Sequence, residues 1–87
     1  MIDKQEIKSR LSLPAVIEYC TGEPIPRSGM IHCPFHDDRN PSLKVYKDGW
    51  YCFGCHRYGD VIQWVEEWEN VDFTQALRVC NALLSTG

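Results

Sequence analysis

Cys33-Pro34-Phe35-His36 and, fifteen residues further on, Cys52-Phe53-Gly54-Cys55 are the stretches on which the fold turns. Each holds two metal-ligating side chains separated by two residues, a spacing that lets one tight turn aim both donors at a single ion. Zinc takes thiolate sulfur at about 2.3 Å and imidazole nitrogen at about 2.0 Å, and four such donors complete its tetrahedron. A full protein shell leaves no position for water or substrate, so one structural zinc ion is expected at Cys33, His36, Cys52 and Cys55. Pro34 stiffens the first knuckle, and Gly54 is expected to supply a left-handed backbone conformation in the second.

Between the two knuckles the period is two. Leu43-Lys44-Val45-Tyr46 and Trp50-Tyr51-Cys52-Phe53 flank Asp48-Gly49, a strong two-residue hairpin signal. A turn centred on Asp48-Gly49 sets Tyr46 opposite Tyr51, Val45 opposite Cys52 and Lys44 opposite Phe53. Lys44, Tyr46, Tyr51 and Phe53 then share one face, and Leu43, Val45, Trp50 and Cys52 the other.

Outward from the hairpin the pattern becomes helical on both sides. Ser12 caps a helix whose apolar residues Leu13, Val16, Ile17 and Cys20 recur on one face, with Gly22 as its stop; a short helix over residues 3–10 precedes it. Pro24, Pro26 and Gly29 make the connection to the first knuckle extended. After Gly59, Asp60 with Gln63 and Asp72 with Gln75 have capping-box spacing and start two helices meeting at Asn70-Val71. The first is expected to bury Val61, Trp64, Val65 and Trp68, the second Phe73, Ala76, Leu77, Cys80, Leu83 and Leu84. The class is α+β: an antiparallel sheet flanked by N- and C-terminal helices. Residues 1–87 form one domain, with a helical segment at 1–22, the metal-binding part at 23–58 and the C-terminal helices at 59–87.

A chain of 87 residues with five cysteines is small enough to need a staple besides its core. Cys20 and Cys80 fall on apolar helical stripes, which leaves Cys33, Cys52 and Cys55 for the metal. No apolar run is long enough to span a bilayer, and the charged opening residues do not resemble a secretory signal, so no membrane partner and a cytoplasmic, thiol-reducing location are expected. Cys52 to His56 also reads Cys-x-x-Cys-His, the attachment sequence of c-type haem; that reading needs export and leaves Cys33 and His36 unexplained. A thioredoxin-like redox pair lacks its βαβ setting.

In order and spacing, Cys33-Pro34-Phe35-His36, Asp38-Arg39-Asn40-Pro41-Ser42-Leu43, Cys52-Phe53-Gly54-Cys55 and Gly59-Asp60-Val61 resemble the zinc-binding domain of DnaG-type bacterial and mobile-element DNA primases, with Asp72-Phe73 and Gln75-Ala76 resembling its second helix start. The resemblance covers about Cys33 to Leu77. It implies a zinc ribbon that contacts single-stranded DNA template during primer initiation, non-catalytic by itself, with nucleotidyl transfer in a primase catalytic domain of the same or a neighbouring chain and a replicative helicase as a further partner. It also places the four zinc ligands on Cys33, His36, Cys52 and Cys55, and a basic loop residue on Arg39. Three positions depart from the family pattern: His56 stands for the usual glycine after the last ligand, Leu43 for a phenylalanine, and His32 for a small or apolar residue.

The net charge of −3 opposes a nucleic-acid partner only until it is divided. Five acidic residues against Arg78 leave residues 60–87 at −4, whereas Arg27, Arg39, Lys44, Lys47 and Arg57 against Asp37, Asp38 and Asp48 leave residues 25–58 at +2. Three thiolates and a neutral histidine around Zn²⁺ contribute −1, so phosphate contacts must come from individual side chains. Arg39, Lys44, Tyr46, Lys47, Tyr51, Phe53 and Arg57 are the expected DNA contacts. The competing expectation is that the lysines solvate a sheet edge and the aromatics pack beneath the terminal helices. A zinc ribbon used only for protein interaction in a replication or transcription complex is the alternative function.

Overall fold

The computed structural model describes residues 3–37 and 39–86. The chain runs α1 (Lys4–Arg10), α2 (Leu13–Thr21), β1 (Met30–Ile31), β2 (Leu43–Val45), β3 (Trp50–Cys52), β4 (Tyr58–Gly59), α3 (Val61–Glu69) and α4 (Phe73–Thr86). The helix starts are the expected ones. Asp3 accepts from the Glu6 amide at 2.9 Å, Ser12 from Ala15 at 3.4 Å, and Asp72 from Gln75 at 2.9 Å. At Asp60 the capping box is reciprocal: its carboxylate accepts from the Ile62 and Gln63 amides at 3.0 Å, and Gln63 Oε1 accepts from the Asp60 amide at 3.1 Å. Gly22 and Asn70 end α2 and α3 in the left-handed conformation.

The strands form one antiparallel sheet in the order β1-β2-β3-β4. Its central hairpin differs from the expected register. Val45 pairs with Trp50, Lys44 with Tyr51 and Leu43 with Cys52. The Tyr46 amide donates to the Gly49 carbonyl at 2.8 Å, which centres the turn on Lys47-Asp48 and not on Asp48-Gly49. Gly49 serves the sheet differently: a Cβ there would stand 3.1 Å from the Gly59 carbonyl, so its lack of a side chain admits β4 beside β3. Each partner moves by two residues, an even step that leaves every side chain on its expected face. Leu43, Val45, Trp50 and Cys52 are accordingly buried.

Those residues and the helices enclose one core. Ile7, Leu13, Val16 and Ile17 close it from the N-terminal side, and Val61, Ile62, Trp64, Val65, Ala76 and Cys80 from the C-terminal side. Packed against it, Phe35 from the first knuckle meets Trp50 of β3 and Trp64 of α3, with ring centroids 5.0–5.6 Å apart in tilted and edge-to-face arrangements. Trp50 Nε1 donates to the Asp60 carbonyl at 3.0 Å, fastening the hairpin to the start of α3.

Two of the expected core aromatics are not buried. Trp68 is 37% and Phe73 45% exposed. The last turn of α3 runs past the core, so Trp68 covers one ring face by stacking on Trp64 at 5.9 Å, and Phe73 opens α4 at the same end. Ile62, absent from the expected stripe, is buried because the first turn of α3 is wedged between the sheet and the other helices. Cys20, Leu77 and Leu84 are partly buried against the core.

Candidate metal centre and the aromatic face beside it

Cys33 follows β1, His36 lies in the loop after it, Cys52 ends β3, and Cys55 lies in the turn before β4. The fold brings one donor atom from each within 4.8 Å of the others. Cys33 Sγ and Cys55 Sγ are 3.9 Å apart, and Cys52 Sγ is 3.8 Å from His36 Nδ1. A tetrahedron with zinc–sulfur bonds of about 2.3 Å places two sulfurs about 3.8 Å apart, so the cluster fits one zinc ion. Cys52 and Cys55 thus share one cluster with Cys33 and His36, which neither the haem-attachment nor the redox-pair reading requires.

The backbone prepares the sulfurs for the metal. The Phe35 amide donates to Cys33 Sγ and the Cys55 amide to Cys52 Sγ, each at 3.4 Å, while the Ser42 hydroxyl lies 3.5 Å from Cys52 Sγ. Such outer contacts orient ligands and favour the thiolate. Burial pushes the Cys33 thiol up to about 12, only partly opposed by the Phe35 amide. At Cys52 burial acts in the same upward direction but is outweighed by the Ser42 hydroxyl and the Cys55 and Gly54 amides, lowering the thiol to about 6.

Gly54 is not left-handed, contrary to expectation. Its role is steric: a Cβ would come 2.8 Å from His36 Nε2, 2.9 Å from His36 Cε1 and 3.0 Å from Ser42 Oγ. The left-handed residue of the second knuckle is His56, at φ 64°. Its amide donates to the Cys52 carbonyl and the Cys52 amide to the Arg57 carbonyl, both at 2.8 Å, closing the knuckle.

The sheet face turned away from the core carries the other expected residues. Tyr46 is 50% and Phe53 57% exposed, with Tyr51 half-buried between them and 4.9 Å from Phe53, so these rings do not pack beneath the terminal helices. Lys44 Nζ donates to the Ser28 carbonyl and stands 5.9 Å from the Tyr46 ring centroid. Lys47 is exposed in the hairpin turn, and Arg39 is exposed in the loop after the first knuckle, away from any strand. Asp38 of the same loop lies outside the described residues. Arg57 is already engaged: Nη1 donates to the Phe35 carbonyl at 2.7 Å and Nε lies 3.6 Å from Glu67.

Sequence reasoning missed Tyr58, 68% exposed and stacked on Tyr51 at 6.3 Å, because β4 was not recognised and only the cross-strand pairing of Tyr51 with Tyr58 places both rings on one face. His56 joins the same group, with Nδ1 3.1 Å from the Tyr51 hydroxyl.

Comparison with known proteins agrees with this geometry. Residues 3–85 match the CHC2 zinc finger family of zinc ribbons. The chain is 39% identical over 81 residues to the DNA primase of Thermotoga maritima and 38% over 76 residues to that of Staphylococcus epidermidis, spanning 85% and 84% of itself. It covers 14% and 13% of those primases. The crystal structure of the Aquifex aeolicus primase, comprising zinc-binding and RNA polymerase domains, superposes with a TM-score of 0.77 at 27% identity, covering 87% of this chain and 20% of that one. With the four-donor cluster in place and the match running from α1 to α4, the chain belongs to the CHC2 zinc finger family of DnaG-type primases.

Proposed function

We propose that this domain holds single-stranded DNA template for a primase, with zinc fixing the ribbon and nucleotidyl transfer carried out by a catalytic domain in the same or a neighbouring chain. The observation that carries the reading is the sheet face formed by exposed Tyr46, Phe53 and Tyr58 around half-buried Tyr51, with Lys44 beside the Tyr46 ring. Aromatic rings stack on bases of any sequence, each worth about 1–3 kcal/mol, and the few phosphate contacts come from single cations such as Lys44, which would have to share its ammonium with the Ser28 carbonyl. Arg39, exposed in the loop after the first knuckle, is a further cation; Arg57 contributes least, because its guanidinium is occupied by Phe35 and Glu67. Weak binding suits a tethered module, where effective concentration replaces intrinsic affinity.

Zinc-loaded protein titrated with a single-stranded oligonucleotide at low salt should bind with an affinity that falls as salt rises. Phe53→Ala should lower that affinity about tenfold while leaving zinc stoichiometry and melting unchanged. Absence of binding at high protein concentration would favour the second reading, a protein-interaction module. That reading draws on the partly exposed Trp68 among Glu66, Glu67 and Glu69, a surface suited to a basic partner such as a primase catalytic domain.

A further inference from the structure

His56 occupies a backbone conformation that glycine adopts freely and most residues avoid, with φ 64°. A side chain there must be offset by something it does. Burial does not supply it, because His56 is exposed. Metal ligation does not either, since the four donors are complete without it. The contact that remains within the chain is Nδ1 to the Tyr51 hydroxyl at 3.1 Å, an exposed hydrogen bond that water competes for. The bonds that close the knuckle account for the left-handed backbone and would form equally with glycine, so the exposed imidazole is the part of this residue that the knuckle does not require.

The surroundings indicate the ligand. The His56 ring stands 6.3 Å from Tyr51 in an edge-on arrangement, and Tyr51 in turn stacks with Tyr58 and meets Phe53 edge to face. With Nδ1 held by Tyr51, Nε2 has no protein partner among the described residues and keeps a hydrogen-bonding position for an outside group. We propose that His56 is a nucleotide-contacting residue of the single-stranded DNA face: Tyr51 orients its imidazole, whose Nε2 hydrogen-bonds a base edge or phosphate oxygen of a nucleotide stacked on the Tyr51–Tyr58 pair. This rests on the template-binding reading above and adds a residue and a polar contact to it.

The test compares zinc-loaded wild type with His56→Gly and His56→Asn, both compatible with the left-handed backbone, by fluorescence anisotropy with a labelled single-stranded DNA oligonucleotide at low salt. Both variants should hold one zinc and melt at or above the wild-type temperature, while affinity falls about fivefold or more. Affinities within twofold of wild type would overturn the assignment and leave the template-binding reading standing. A lowered melting temperature in both variants would also overturn it, by showing that the imidazole holds the knuckle together. If wild type itself fails to bind DNA, the template-binding reading falls and His56 with it, a result distinguishable from the first two.

Discussion

Gly54 shows how closely the second knuckle is fitted to its neighbours. With any side chain, it would meet the His36 ring at 2.8 Å and the Ser42 hydroxyl at 3.0 Å, the groups that respectively donate to the metal and support Cys52. Backbone freedom is not what the position needs, since Gly54 is outside the left-handed region. Gly54→Ala should therefore displace His36 and lower zinc affinity about tenfold or more, as loss of outer-shell order does in other sites, while the helices still form. Competition against a chromogenic zinc chelator measures this, and an unchanged affinity would show that the turn accommodates the methyl. The sequence identifies Gly54 as special but not why, because the reason is a side chain eighteen positions earlier. His56 is the converse: the only mark of its left-handed backbone in the sequence is that the resembling family usually has glycine there, and the closing bonds to Cys52 reveal the conformation itself.

Among the elements, α3 ties the molecule together through Asp60. Its carboxylate caps the helix and lies 3.6 Å from Lys8 of α1, while its carbonyl receives the Trp50 indole. Asp60→Ala removes the cap from two amides and a long ion pair to partly exposed Lys8 of small worth, leaving the carbonyl contact; a loss of about 1–2 kcal/mol is expected, read as a lower denaturation midpoint at unchanged zinc content. A stability equal to wild type would mean that water replaces the cap. The capping box was fully legible in Asp60-x-x-Gln63, because its partners are three residues apart. The hairpin was legible in its faces but not its register: Asp48-Gly49 has the composition of a two-residue turn, yet the approach of Gly59 recruits Gly49 to the sheet. The burial of Trp68 and Phe73 was misjudged because helical periodicity gives the direction of a face and not how far the core extends along it.

For the whole molecule, the metal is part of the fold. The core is compact but small, and the ribbon's two knuckles are joined to it through Phe35 and Cys52. Binding energy at a structural zinc site is folding energy, of about 10–16 kcal/mol in small zinc peptides, comparable to the total stability of an ordinary domain. Chelation should abolish cooperative melting in the circular dichroism signal, and zinc should restore it; a chelated chain melting near the holo temperature would contradict this. Acid should act in the same direction. Zinc requires Cys33 as thiolate, yet burial pushes that thiol up to about 12, so zinc uptake near neutral pH displaces its proton. Apparent zinc affinity should then fall as pH falls, by about tenfold per unit for each proton displaced, and the release is measurable with a pH indicator in weak buffer.

The two pairs of zinc ligands, the helix starts and the two faces of the hairpin were determined by the sequence alone, because each pair, cap or strand depends on residues a few positions apart, where spacing fixes geometry. The tertiary structure decided what depends on distant parts meeting: the pairing of Tyr58 with Tyr51, the steric demand on Gly54 from His36, the engagement of Arg57 by Phe35 and Glu67, and the exposure of Trp68. Local patterns carry direction and period, whereas the neighbour that fills or crowds a position comes from elsewhere in the chain and leaves no mark on the sequence around it.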